Sequence, residues 1–227
     1  MFLHPSPETV SDHILKTGKL YCDDEVIARL YSSGTADFFF DVGSNIGSCA
    51  FAAAALGKSV FAFEPNPHNI ALIKRTIAYN KWEALITLIE CGASNSTGTV
   101  DLFFLRDNKG HGMVGSRQER IKQEYLEVSS CTVKIDDVLS QLDNRGVDVV
   151  KIDTEGHELM VLKGAEILLR DPHKRPTFIQ LEVNPEALSA QGTESGEIRD
   201  HLRSMEYHCT NEGGNTLHNE VFEATRG

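Results

Sequence analysis

Asp37-Phe38-Phe39-Phe40-Asp41-Val42-Gly43-Ser44-Asn45-Ile46-Gly47 is the stretch on which the fold turns. Three phenylalanines and a valine, interrupted by one acid, read as a strand buried on both faces. Two glycines follow, and behind them Ser48 to Leu56 is alanine-rich, with the composition of a helix. Strand, glycine turn and helix together let a ligand approach bare backbone at a helix N-terminus. The spacing restricts that ligand. A dinucleotide fingerprint requires G-x-G-x-x-G, and Gly43-Ser44-Asn45-Ile46-Gly47 has no middle glycine. A P-loop requires lysine after its last glycine, and Ser48 stands there. The turn is therefore expected to hold a ligand without a phosphate to cradle.

Working outward, Ser59 to Phe63 reads as a second short buried strand ending in Glu64, 23 residues after Asp41. That is about one strand–helix–strand crossover. An acid at this strand end can accept charge-assisted hydrogen bonds from both hydroxyls of a ribose. A nucleoside without phosphates at a glycine turn points to S-adenosylmethionine. Asn66 and Pro67 mark a helix start, with Ile70, Ile73 and Ile77 as its buried face. Leu85 to Glu90 is expected to be a third strand, followed by Cys91, Gly92, Ala93 and Ser94, small enough to border an adenine.

Residues 8–33 read as helices broken near Gly18, forming with the rest of residues 1–36 an N-terminal helical cap over the cofactor mouth. Residues 95–147 break the alternation. Strands are expected at Thr99–Leu105 and Val128–Ile135, and Asp107 to Met113, including His111, reads as a mobile loop. This β-hairpin insertion is expected near the acceptor site. Alternation resumes with a strand at Val147–Ile152, an amphipathic helix over Leu159–Leu169 and a strand at Phe178–Val183. A helix over Ser195–Glu206 and short strands near Tyr207–Thr210 and Val221–Ala224 close the chain. The pattern is that of an α/β, doubly wound sheet in a single domain spanning 1–227.

Composition narrows the function. Of 227 residues, 41% are hydrophobic and 24% charged, an ordinary globular balance. A formal net charge of −11 argues against a broad nucleic-acid surface. No apolar run approaches the roughly 18 residues of a membrane helix, and no secretory signal is visible. A cytoplasmic location and no membrane insertion are therefore expected; oligomeric state is not legible. The five cysteines, Cys22, Cys49, Cys91, Cys131 and Cys209, are scattered without metal spacing and are expected to be reduced and mostly buried.

Asp41, Glu64, Asp153 and Glu182 all fall at ends of expected strands, where ligands bind in open α/β sheets. Lys151 and Asp153, two apart, would share a face. Three motifs in order, Asp41 to Gly47, Phe63-Glu64-Pro65-Asn66-Pro67 and Lys151-Ile152-Asp153-Thr154-Glu155-Gly156-His157-Glu158, resemble the FkbM family of S-adenosylmethionine-dependent methyltransferases. Leu181 to Glu186 fits as well, and the likeness covers roughly residues 15–210.

The resemblance implies a Rossmann-like sheet of seven strands, mostly parallel with the last antiparallel. It implies that Asp41, Gly43, Ser44, Asn45 and Gly47 contact the methionine part of S-adenosylmethionine. Glu64 would hold the ribose, with Pro65, Gly92 and Ala93 bordering adenine and Asp153 near the sulfonium. O-methylation of a hydroxyl on a sugar, glycan or small natural product is the family's usual reaction. Such a reaction requires the acceptor to be aligned and its proton removed. Asp153, Glu155, His157 and Glu182 are the candidates. Against these roles stand plainer ones: His157 turned to solvent at a helix start, Glu155 and Glu158 favouring the positive helix end, and Glu182 structural. The same set offers oxygen ligands and one imidazole to a hard cation, but no metal is expected. The alternatives are an NAD-dependent oxidoreductase on the same fold and a non-catalytic nucleoside-binding module.

Overall fold

In a computed structural model, residues 1–6, 8–34, 37–105, 108–114, 125–213 and 216–225 are described, without side chains at 104–105, 108–114 and 125–126. Two helices come first, α1 (Thr9–Thr17) and α2 (Asp24–Ser32), separated at Gly18 as its position suggested. The Rossmann-like part then runs β1 (Phe38–Val42), α3 (Ser48–Ala55), β2 (Ser59–Phe63), α4 (Pro67–Asn80) and β3 (Ile86–Ile89). The insertion supplies β4 (Gly92–Ala93), β5 (Gly98–Leu105), β6 (Asn108–Val114) and β7 (Tyr125–Val133), followed by a 3-10 helix at Ile135–Leu142. The wind resumes with β8 (Val147–Ile152), α5 (Glu158–Lys163), α6 (Glu166–Arg170) and β9 (Phe178–Val183). It closes with α7 (Pro185–Ala190), α8 (Ser195–Arg203), β10 (Tyr207–Cys209) and β11 (His218–Ala224).

The main sheet has seven strands in the order β10-β11-β9-β8-β1-β2-β3. Pairings among β3, β2, β1, β8 and β9 are parallel, and β11 lies antiparallel to both of its neighbours. The chain winds outward from β1 to β3, then returns to the other side of β1 to build β8 and β9. The switch point between β1 and β8 is where ligand clefts open in such sheets. A four-stranded sheet, β4-β7-β5-β6, carries the insertion.

Period-two alternation in β1 sets the two packed layers. Phe38, Phe40 and Val42 enter one core with Ile152, Leu181 and the α5–α6 side. Phe39 points the other way, against Ala50, Phe51 and Ala53 of α3. Asp41 shares that second face, where its Oδ2 accepts from the Ala50 amide at 2.9 Å. A buried acid is thereby tied to the first turn of α3.

Three expectations are corrected. The segment read as a loop from Asp107 is strand from Asn108 to Val114, paired antiparallel with β5; Asp107 and the side chain of His111 lie outside the described ones. Flanking glycines hid its strand character, which comes from the hairpin partner rather than local propensity. The helix expected over Leu159–Leu169 is two short helices. At the break a Cβ on Gly164 would stand 2.0 Å from the Ser94 carbonyl oxygen, and the Gly164 carbonyl accepts from Asp136 N instead of continuing the helix.

The third correction concerns the thiols. Cys22–Cys49 and Cys91–Cys131 are disulfides, with Cα separations of 5.0 and 4.8 Å, and Cys209 alone is free. The partners lie 27 and 40 residues apart, so no local spacing announces them. No helix among the described residues is long and apolar enough to cross a membrane.

Candidate active site

A cleft opens at the carboxyl ends of β1, β2, β8 and β9, and it has two chambers. Both are bordered by Val10, Tyr21, Gly43, Asn45, Asp153 and Glu182. The first chamber continues past Glu64, Pro65, Gly92, Ala93, Glu155 and His157. Val100, Leu102 and Thr132 of the insertion form its apolar wall. The second continues past Asp41, Ser44, Ser48 and Lys151 toward His13, Lys19 and Leu20 of the N-terminal segment. Residues of α1 and of the segment after it thus line the cleft. That segment is held there by the Cys22–Cys49 disulfide and by the Tyr21 amide donating to Ser48 Oγ at 2.7 Å.

The turn after β1 needs its first glycine. Gly43 has φ +77°, and a Cβ there would lie 1.8 Å from the Asp153 carbonyl oxygen. Close approach of the β1 and β8 ends therefore depends on the missing side chain. Asn45, at φ 52°, takes the left-handed conformation that asparagine tolerates. Its amide then donates to Glu64 Oε2 at 2.8 Å. Ser44 Oγ turns back onto the Asp41 carbonyl at 2.7 Å and its backbone N–H donates to the Phe63 carbonyl at 3.0 Å, so Ser44 braces the turn. Gly47 lines neither chamber; it is the left-handed cap of α3 and donates to the Ser44 carbonyl.

Glu64 is buried and accepts three hydrogen bonds: Asn45 N, Asn66 N at 2.9 Å and Asn69 Nδ2 at 3.2 Å. Burial pushes its pKa up to about 7, with the three donors pulling down and Asp41 pushing up. A carboxylate offers about four lone-pair directions, so capacity remains for a hydroxyl.

Asp41 Oδ1 and Asn45 Oδ1 are buried acceptors without a hydrogen-bond partner among the described residues. Such orphans are costly unless something donates to them. Both residues border the second chamber, so two acceptors await a donor such as an ammonium group. This fits the methionine end of S-adenosylmethionine, and Glu64 with the small Gly92 and Ala93 fits its nucleoside.

At the junction of the chambers the acids converge. Ile152 pairs with Leu181, so the next residues, Asp153 and Glu182, emerge side by side. Carboxylate oxygens of Asp153, Glu155 and Glu182 all lie within 4.8 Å of one another. Lys151 Nζ donates to Asp153 Oδ2 at 3.1 Å, on the shared face the two-residue spacing suggested. Burial alone would favour the neutral amine, but Asp153, Asp41 and Glu182 together outweigh it and hold Lys151 charged. Glu182 is pushed up to about 8, by burial first and then by the charges of Asp153 and Glu155. The three carboxylates are close enough to share a cation. His157, grouped with them in the sequence reading, is not part of this set.

His157 does not turn to solvent. Its Nε2 lies 3.0 Å from Ser94 Oγ beside β4, and burial lowers its pKa, so the ring is neutral at pH 7. Glu158, read as favouring a helix end, is an organiser of the loop before it. Its Oε1 accepts from Thr154 N, Thr154 Oγ1 and Gly156 N at 2.9–3.1 Å. That network holds Glu155 at φ 54° and Gly156 at φ 97°, where a Cβ would meet the Ala187 carbonyl oxygen at 2.5 Å. A left-handed non-glycine residue inside an active-site cleft is where backbone strain tends to be kept.

Several lining residues escaped the sequence reading. Glu8, Val10 and Tyr21 carry no motif, although the cap that bears them was expected. Alternation along β5 was the available signal for Val100 and Leu102. Asn69, in the first turn of α4, carries no motif of its own and reaches Glu64 only through the fold.

Comparison with known proteins agrees with this geometry. The family model described as "Methyltransferase FkbM domain" matches residues 41–209. The chain is 33% identical over 174 residues to the hexuronic acid methyltransferase AglP of Haloferax volcanii, covering 76% of this chain and 67% of that protein. It is 28% identical over 173 residues to the methyltransferase sdnD of Sordaria araneosa, covering 64% of this chain and 65% of that one. The chain thus spans about two thirds of the length of these relatives. Among solved structures, the methyltransferase FkbM of Methylobacillus flagellatus superposes with a TM-score of 0.55 at 16% identity, over 83% of this chain and 44% of that one, a likeness of fold. With the family model covering most of the chain and its motifs gathered in one cleft, this protein belongs to the FkbM methyltransferase family.

Proposed function

We propose that this protein transfers a methyl group from S-adenosylmethionine to a hydroxyl oxygen of a sugar, glycan or other small acceptor. The observation that carries the reading is the meeting of the two chambers at Asp153 and Glu182, between buried acceptors on one side and Glu64 on the other. When bound, S-adenosylmethionine supplies a methyl carbon made electrophilic by a positively charged sulfur. Asp41 and Asn45 would accept from its ammonium group, and Glu64 from the ribose. Pro65, Gly92, Ala93 and the insertion wall would enclose the base.

The acceptor hydroxyl would enter beside Asp153 and Glu182. One of these carboxylates would take the hydroxyl proton, leaving the oxygen free to accept the methyl group that the cofactor would supply. Glu182, poised near 8, is the better proton acceptor once a positive charge lies beside it and lowers that value. Asp153, paired with Lys151, would orient it. His157 is the weaker candidate for base, because its Nε2 is engaged by Ser94. The hexuronic acid substrate named for the Haloferax relative supports a sugar acceptor. The net charge of −11 favours such an acceptor over nucleic acid.

The test is transfer of labelled methyl groups to a panel of sugars, uronic acids and nucleic acids, alongside calorimetry with S-adenosylhomocysteine. Label on a sugar oxygen, lost in Glu182→Gln, is the expected result. Absence of S-adenosylhomocysteine binding would overturn the cofactor assignment, and label on nucleic acid alone would overturn the acceptor class.

A further inference from the structure

We propose that His4 is a positioning residue for Glu64, acting through Asn69, so that the segment ahead of the Rossmann-like sheet sets how firmly the nucleoside is held. The proposal rests on the ribose reading of Glu64 above. His4 lies well outside the span matched by the family model. It is nevertheless buried, 8% exposed, with Nε2 2.7 Å from Asn69 Oδ1. Asn69 is 1% exposed, and its Nδ2 donates to Glu64 Oε1 at 3.2 Å.

The direction of this chain follows from hydrogen-bond chemistry. A carboxylate only accepts, so the amide must present its NH₂ to Glu64 and its oxygen to His4. The oxygen can be satisfied only by a donor, so His4 carries its proton on Nε2. Each link therefore donates toward the carboxylate and stabilises its charged form. The backbone amide of His4 donates in turn to Ser11 Oγ of α1 at 3.1 Å, which ties the segment to the cap. A histidine buried only for packing would not require a polarised amide between it and the cofactor-site acid.

Glu64 is sensitive to such support. It sits near 7, held up by burial and by Asp41 on β1, and held down by the donors from Asn66, Asn69 and Asn45. Glu8 and Tyr21 from the N-terminal segment, with Asp153, Glu155, Glu182 and His157, are the other titratable groups lining the same cavity. Removing the His4 donor leaves Asn69 free to rotate and moves the protonation of Glu64 to higher pH. A protonated Glu64 loses acceptor capacity for the ribose.

The experiment is calorimetric titration of S-adenosylhomocysteine from pH 6 to 9.5 into the wild type, His4→Phe, His4→Gln and Glu64→Gln, with thermal melts confirming folding. Near pH 7, His4→Phe should bind about three- to ten-fold more weakly, the range of one neutral hydrogen bond. The deficit should vanish toward pH 9.5, where Glu64 is charged in both proteins, and His4→Gln, which keeps a donor, should recover most of the affinity. A His4→Phe curve that coincides with wild type, or one weakened equally at every pH, overturns the proposal. So does a His4→Gln variant that behaves like His4→Phe. If His4→Phe fails to fold, the pH curve of His4→Gln against Asn69→Ser decides: the first should follow wild type and the second should shift upward, and coincidence of the two overturns the link. Failure of the underlying ribose reading looks different: Glu64→Gln would then bind as tightly as wild type at all pH values.

Discussion

Replacing Gly43 by alanine should damage stability and cofactor affinity together, because one missing atom lets β1 and β8 close on each other. The new Cβ would stand 1.8 Å from the Asp153 carbonyl oxygen and 2.9 Å from its carbon. Carbon–oxygen contacts settle at about 3.3 Å or more, so the two strand ends must part by roughly 1.5 Å. That movement stretches the hydrogen bond from Asp153 N to the Val42 carbonyl, now 3.0 Å, which costs about 1 kcal/mol. Holding a non-glycine residue at φ +77° costs about 1–2 kcal/mol more. A total of about 2–3 kcal/mol corresponds to a fall in Tm of roughly 4–12 °C for a chain of this size. The displaced Asp153 would also leave Glu182 and the acceptor misaligned, and a shift of about 1 Å can lower turnover about 100-fold. Thermal melts, S-adenosylhomocysteine calorimetry and methyl transfer should be measured on the same preparation. A variant within about 1 °C of wild type and with unchanged binding would refute the close contact at the switch point.

The remaining predictions concern thiols, acids and pH. Thiol titration in denaturant without reductant should count Cys209 alone, and all five cysteines after reduction; five reactive thiols beforehand would contradict both disulfides. Loop-closure entropy assigns each bridge about 3–4 kcal/mol, so reduction by a dithiol should lower Tm markedly. Glu182→Gln should reduce kcat about 100-fold or more with S-adenosylhomocysteine affinity nearly kept. Equal loss of binding and turnover would make the residue a cofactor ligand instead. Glu64 and Glu182 have folded-state pKa values of about 7 and 8, above the unfolded value of 4.5, so the native state binds more protons between those limits. These two groups should therefore destabilise the ligand-free protein progressively as pH rises from about 5 to 8. A Tm that climbs over that window would contradict the raised values.

Much of this architecture is legible locally. A run such as Phe38 to Val42 can be buried on both faces only in the middle of a parallel sheet, and the residues after it declare the turn. Acids at strand ends mark the cleft because the chain has few other reasons to place them there. The insertion was harder, since β6 draws its structure from pairing with β5 and carries glycines that read as loop. Gly164 was likewise ambiguous until the Ser94 backbone against it explained the broken helix.

By itself the sequence determined the fold class, the glycine turn after β1 and the acids at the strand ends, because each depends on neighbours within one strand–turn–helix unit. Only the tertiary structure decided which acids meet. The β8–β9 register sets Asp153 beside Glu182, while Ser94 holds His157 in the wall of the first chamber. It also decided the disulfides and the His4–Asn69–Glu64 chain, whose members lie up to 65 residues apart. Contacts of that range arise from crossovers and packing, which hydrophobic periodicity does not encode.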